Sequence, residues 1–359
     1  EEVMEVAKKY YSNNYVVVYK HLGEDTSVQK VTKPSITPVE VNRDAQSQFL
    51  TGILDTEVEN IEPEFINYQE DIKQASVNNV DLLYKENKEN KLFKLYYITD
   101  MGNNHNTKLS MAIDYLNYLG TDDITPKQKK EEFYKLGCNV SVNSQNEQSY
   151  ITLTGLDDNF EESVKLFEKL LANVVANEEA LANLKQDALK KRMDSKLNKG
   201  VILQSGMVNF AKYGAVNPFT NKLSDDEINA VTSEELIDII KNMNSYQHRI
   251  LYYGPQDVNK VSASLSELHT TPEELTAIPE VNDFEELEIN KTSVYVVDYD
   301  MKQVEILMLA KGESFQSEKM PIIRLHNEYF GGGMGSIVFQ TLRESKALAY
   351  SVYSAYSTP

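Results

Sequence analysis

Arg343 and Tyr350 lie seven residues apart in FQTLRESKALAYSV, a planar cation and a phenol on either side of a helix exit and strand entry. A guanidinium pairs with a carbonyl or carboxylate in a fixed fork, and a phenol donates a hydrogen bond to a developing oxyanion, so together they suit gripping a ligand. Just upstream, Gly331, Gly332, Gly333 and Gly335 cluster where an apolar helix face would otherwise continue. Clustered glycine is costly in a helix unless the backbone needs freedom or close approach, so something is expected near that backbone. On composition alone the plainer role is favoured, with Arg343 a solvated charge beside Glu344 and Lys346 and Tyr350 one more half-buried strand aromatic.

Other chemistries find less support. The histidines, His21, His105, His248, His269 and His326, have no partner at i+4, so no helix presents a two-histidine metal face, and surface or capping roles are expected for them. The triple glycine follows an apolar helix rather than a strand, which argues against a dinucleotide fingerprint. Ser336 lacks a GXSXG elbow, and Cys138, the sole cysteine, sits in a strand-like run with no identifiable base. With 36 Lys and Arg against 55 Asp and Glu, a net charge of -19 provides no basic face to displace counterions, which excludes nucleic acid as a partner. No apolar run reaches the ~18 residues of a membrane span, so no transmembrane segment is expected.

The elements that must position these residues are legible from periodicity. Glu1–Tyr11 reads as an amphipathic helix feeding a buried strand, Tyr15–Tyr19. Lys33-Pro34 and Thr37-Pro38 open a linker from about Val31 to Glu64, with a short helix near Asp44–Ile53. Val80–Tyr84 and Leu92–Ile98 are expected to pair as a hairpin, followed by a helix at Thr107–Leu119. Thr125 with Gln128, Ser224 with Glu227 and Thr232 with Glu235 form capping boxes, and Gly137 stops the first of those helices. Asn139–Thr154 reads as a second hairpin. Phe160, Val164, Phe167, Leu171 and Val174 share one helix face, and a charged helix covers Glu178–Leu197. Arg249–Tyr253 is a strand, Thr270–Asn290 an acidic connection, and Thr292–Val297 with Val304–Leu309 one more hairpin.

A shift of 211 residues lays Leu83 on Val294, Tyr97 on Met308 and Gly120 on Gly331, and EEVMEVAKKYYSNNYVVVY at Glu1 echoes EELIDIIKNMNSYQHRILYY at Glu234. Repeats of this size point to duplicated α+β domains, each an antiparallel sheet backed by helices.

The string FGGGMGSIVFQTLRESKALAYSV resembles the second-domain signature of the M16 family of zinc metallopeptidases, the insulinase and pitrilysin group. LSMAIDYLNYLGT followed by KKEEFYKLGCNV is similar to that family's first-domain pattern. At the positions of its inverted HXXEH zinc motif, however, stand Met111, Asp114 and Tyr115. Thioether and phenol are not ordinary zinc ligands, so this chain is expected to bind no metal.

The resemblance implies the non-catalytic C-terminal half of a two-half, clamshell peptidase. Zinc and the general base would lie on a complementary N-terminal half, in the same polypeptide or a partner subunit. Arg343 would hold the backbone of a peptide substrate, Tyr350 would hydrogen-bond the scissile carbonyl oxygen, and Gly331, Gly332 and Gly333 would shape the substrate wall beside them. The alternative is a non-catalytic peptide-binding or scaffold subunit. The domains expected are residues 1–38 as the tail of a preceding domain, 39–64 as linker, 65–200 as a degenerate first-type domain and 201–359 as a C-terminal-type domain incomplete at its end. The compartment is left open, with an extracytoplasmic one slightly favoured.

Overall fold

Alternation of closed and open positions along Val80–Glu86, Leu92–Thr99 and Ser149–Leu156 buries one face of each strand and leaves the other partly open. The computed structural model describes residues 2–358 apart from 24–26, 28, 30, 33–44, 60, 61 and 64, and Lys33-Pro34 and Thr37-Pro38 lie outside the described residues. It divides into two compact units, Glu1–Glu64 and Phe65–Pro359.

The first unit contains α1 (Glu2–Tyr10) and α2 (Gln48–Leu54). Ser47 caps α2, its side chain accepting from the Leu50 amide at 3.1 Å. Tyr15–Tyr19, expected as a buried strand, forms no ladder among the described residues, and Val16 is 92% exposed. Five β-prone residues cannot satisfy their own backbone groups; a strand needs a neighbour.

In the second unit the short α3 (Tyr68–Asp71) leads into β1 (Lys73–Val77), β2 (Val80–Glu86) and β3 (Leu92–Thr99). Next come α4 (Leu109–Leu116), α5 (Pro126–Lys135), β4 (Cys138–Ser144), β5 (Ser149–Leu156), α6 (Phe160–Asn173) and α7 (Glu178–Lys196). A π-helical run at Val201–Met207 passes into α8 (Val208–Tyr213), followed by α9 (Asp225–Ala230), α10 (Ser233–Lys241), β6 (His248–Gly254) and α11 (Val258–Leu268). All three capping boxes form. Thr125 Oγ1 accepts from the Gln128 amide at 3.2 Å, and the Thr125 amide donates to Gln128 Oε1 at 2.9 Å. Ser224 and Thr232 start α9 and α10 in the same reciprocal way. Gly137, at φ +59, turns the chain out of α5.

The sheet order is β1-β2-β6-β3-β5-β4. The hairpin expected from Val80–Tyr84 and Leu92–Ile98 is therefore not formed. β6 enters between these strands, parallel to β2 (Leu83 opposite Leu251) and antiparallel to β3 (Leu95 opposite Tyr252). A β-branched and aromatic strand closed on one face gains more from two ladder partners at the sheet centre than from an edge, and β6, coming after residue 200, supplies them. The second expected hairpin, β4 with β5, forms in full.

Helices cover the closed face. Phe160 of α6 is fully buried, edge-on to Phe93 at 5.0 Å and to Tyr252 at 5.4 Å. Burying one such ring contributes on the order of 2–3 kcal/mol. Leu236 and Ile240 of α10 and Leu109 and Tyr115 of α4 fill the rest of that layer. The chain is thus α+β, with one parallel strand pair in an otherwise antiparallel sheet.

Beyond residue 278 the described chain forms no ladder. Thr292–Val297 and Val304–Leu309, expected as a hairpin, run extended and exposed, with Met308 90% accessible. Their composition is that of strands, but the structure gives them no ladder partner. Among the described residues no helix is long and apolar enough to cross a membrane.

Candidate functional site

The stretch holding Arg343 and Tyr350 begins with α12 (Met320–His326), which widens into a π-helical turn at Asn327–Gly331. Gly332–Gly335 then reverses the chain, with Gly333 at φ +71. Ser336, almost fully buried, closes that turn. Its hydroxyl donates to the Gly333 carbonyl at 3.0 Å and accepts from the Phe339 amide at 3.3 Å. Phe339–Ser345 is a second π-helical run, the kind of irregular turn that recurs at functional sites. It ends where Ala347 takes φ +50 and the Leu348 amide reaches back to the Leu342 carbonyl at 2.9 Å. This reversal brings Tyr350 beside Arg343.

The Arg343 guanidinium carbon lies 4.6 Å from the Phe339 ring centre and 5.2 Å from that of Tyr350. Two rings therefore fix the cation, through its planar face and the ring quadrupoles. Glu344 stands 3.8 Å from Arg343 Nε, at the limit of an ion pair, so the fork is not consumed by a bidentate carboxylate. Tyr350 is 84% exposed. The two residues singled out in the sequence are thus adjacent, and Phe339 is a third that the sequence reading passed over; its signal was an aromatic four residues before the arginine.

The glycines do different things. A Cβ on Gly331 would lie 1.8 Å from the Ser354 carbonyl oxygen, so what approaches this backbone is the chain's own following segment. Asn327 holds that segment from its side chain, donating to the Tyr356 carbonyl at 3.0 Å and accepting from the Tyr356 amide at 2.7 Å. Gly332 is tight only against its own preceding turn, and Gly333 faces open space. Gly120, the counterpart of Gly331 in the 211-residue repeat, has the Ile124 carbonyl oxygen 2.1 Å from its would-be Cβ. Both glycines admit a backbone carbonyl.

Met111, Asp114 and Tyr115 sit on α4 and do not fit a zinc ion. Met111 is buried in the core and Asp114 is exposed. The Tyr115 hydroxyl is fully engaged, donating to the Asn177 carbonyl at 3.0 Å and accepting from the Asn177 amide at 2.8 Å. Burial raises its phenol above the usual value, so it stays protonated, whereas a metal ligand must be deprotonated. Among the described residues no group of three or more His, Cys, Asp or Glu could hold a metal. Tyr115 instead ties α4 to the N-cap of α7. Tyr115→Phe strands one donor and one acceptor of Asn177 and should destabilise the chain by about 1–3 kcal/mol in denaturant unfolding.

Cys138 opens β4, and burial pushes its thiol up, away from a reactive thiolate. His269 takes the C-cap position of α11, within the capping roles expected, whereas His248 departs from them. His248, partly buried, and His269, 1% exposed, meet inside the fold. They are 21 residues apart on different elements, a distance that no helical spacing reveals.

Residues 230–358 match the family described as the peptidase M16 inactive domain, a span that includes Arg343 and Tyr350. An uncharacterized zinc protease of Rickettsia felis is 23% identical over 260 residues, 71% of this chain, and the chain spans 61% of the length of that relative. Among solved structures, the peptidase M16 inactive domain from Pseudomonas fluorescens superposes with a TM-score of 0.60 at 18% identity, covering 80% of this chain and 71% of the other. A protease from Helicobacter pylori gives 0.59 at 15% identity, with 80% and 71% covered.

Proposed function

We propose for this chain, whose residues 230–358 match the peptidase M16 inactive domain and whose fold resembles that of a solved M16 inactive domain, the role of substrate-binding half in a two-half zinc peptidase that cleaves peptides in a closed chamber. The observation that carries this reading is the arrangement around Arg343: a guanidinium held between two rings, its donors not clamped by a carboxylate, beside an exposed phenol. Arg343 holds the substrate backbone through its carbonyls. Tyr350 donates to the scissile carbonyl oxygen, a bond that strengthens as negative charge develops there. The zinc and the general base belong to a complementary N-terminal half, since α4 cannot supply them.

The test is complementation. Purified separately, neither half should cleave an unfolded peptide, and mixing them should restore cleavage. The complementary half should contain HXXEH and bind zinc, while metal analysis of this chain by itself should give essentially none. Peptidase activity of this chain alone would overturn the reading. A complementary half without HXXEH would leave a peptide-binding or scaffold subunit in its place.

A further inference from the structure

Under the β3–β6 part of the sheet, three titratable side chains form a single hydrogen-bonded line. His248 Nδ1 lies 2.7 Å from the Tyr246 carbonyl, and its Nε2 lies 2.9 Å from His269 Nε2. His269 Nδ1 lies 2.7 Å from Glu168 Oε1, and Asn244 Nδ2 donates to Glu168 Oε2 at 3.0 Å. The centre of the line is closed from water, with the His269 side chain fully covered, that of Glu168 11% exposed and His248 partly buried. From β3 the Tyr97 ring packs 4.4 Å from His269, and burial together with the Glu168 charge keeps its phenol well protonated. Among the described residues no lysine or arginine pairs with Glu168.

The Tyr246 carbonyl can only accept, so His248 Nδ1 must carry a hydrogen. Two imidazole Nε2 atoms at 2.9 Å need one hydrogen between them, and the His269–Glu168 contact needs another. Three contacts take three protons, whereas two neutral imidazoles bring two. With the third proton the cluster is electrically neutral, as carboxylate plus imidazolium or as carboxylic acid plus two imidazoles. Without it, either two lone pairs face each other or a lone pair faces a carboxylate, and one uncompensated negative charge stays buried. Burial pushes His248 down to about 4, so that ring takes the neutral position and the extra proton lies on the Glu168 side.

We propose that Glu168, His269 and His248 form a buried site for one proton, and that this proton fastens the segment around Thr276 to the sheet. The fastening runs through Tyr246, which receives the His248 Nδ1 hydrogen and lies opposite Thr276 in a parallel bridge. The Thr276 amide donates to the Ser245 carbonyl at 2.8 Å, and the Gln247 amide donates to the Thr276 carbonyl at 2.9 Å. The proposal stands on these contacts and not on the peptidase reading.

His248 is depressed, so its contribution is present above about 6.5 and is lost as pH falls towards 4. Nitrogen NMR of histidine-labelled full chain at neutral pH should show His269 protonated on both ring nitrogens, or sharing the proton with Glu168, and His248 protonated on Nδ1 alone. Two neutral rings with an ionised Glu168 would overturn the proposal. Glu168→Gln removes the balancing charge but offers its amide N–H to His269 Nδ1, so both rings should be neutral in it, and a doubly protonated His269 there would refute the charge-balance argument. His248→Phe removes the hydrogen that the Tyr246 carbonyl receives, so the Thr276 amide should exchange about tenfold faster, the equivalent of one hydrogen bond, and unchanged exchange would refute the fastening. If neither variant folds, the spectrum of the unaltered chain decides both, since a His248 hydrogen on Nε2 rather than Nδ1 would also refute the fastening.

Discussion

Tyr350→Phe, assayed with the proposed zinc-bearing half, should lower kcat by on the order of 10²-fold and leave KM nearly unchanged. The substitution keeps the aromatic ring 5.2 Å from the Arg343 guanidinium, so the cation stays fixed and only the hydroxyl is removed. A donor to a developing oxyanion matters in the transition state and little in the ground state, which is why the loss should fall on kcat. Steady-state kinetics on one peptide decide it: unchanged turnover would remove Tyr350 from the reaction. Arg343→Ala should instead raise KM, because the backbone it is proposed to hold is present in both states.

Gly331→Ala should be the most damaging glycine change. Its methyl would fall 1.8 Å from the Ser354 oxygen and 2.5 Å from the Ser354 carbonyl carbon, atoms of backbone that cannot rotate away. The whole segment following Tyr350 must shift, breaking both bonds between Asn327 and Tyr356. Overpacking of this kind costs about 1–3 kcal/mol, and lost hydrogen bonds add about 1 kcal/mol each. Gly333→Ala meets only the strain of φ +71, about 1 kcal/mol, and Gly335→Ala meets nothing within 4 Å. Thermal unfolding and proteolytic nicking of residues 350–356 should rank the three in that order. Equal effects at Gly331 and Gly335 would show that Ser354 does not lie against Gly331.

What was legible in the sequence was what the chain settles locally. Thr125, Ser224 and Thr232 announce their helices because both partners of a capping box lie within four residues. The α6 face from Phe160 to Val174 and the β4–β5 hairpin need no distant partner to be recognised. The neighbours of β2 were not legible, because nothing near Leu83 says that Leu251 rather than Tyr96 will lie beside it. Tyr15–Tyr19 and Val304–Leu309 show the opposite error: strand composition without a pairing partner in the structure.

At the candidate site the structure brings Arg343 and Tyr350 together, and resemblance alone suggests their roles. Of the glycines expected at a place of close approach, Gly331 has one, from Ser354, whereas Gly333 and Gly335 face open space. Asn327 gave no sign, since its two bonds reach 29 residues along the chain. The His248–His269 pair stayed hidden because its spacing is set by the sheet and the end of α11, not by one helix.

The central place of β6 also governs when this protein can finish folding. Strands β2 and β3 leave the ribosome with their facing edges open, and the strand that joins them follows only after seven further α-helices have been made. At synthesis rates of about 5–20 residues per second that interval is roughly ten to thirty seconds. During it, two unpaired and partly apolar edges are available to other chains. The nascent protein is therefore open to edge-to-edge association until Gly254 has emerged, and slowing translation through residues 200–248 should increase its loss to aggregation.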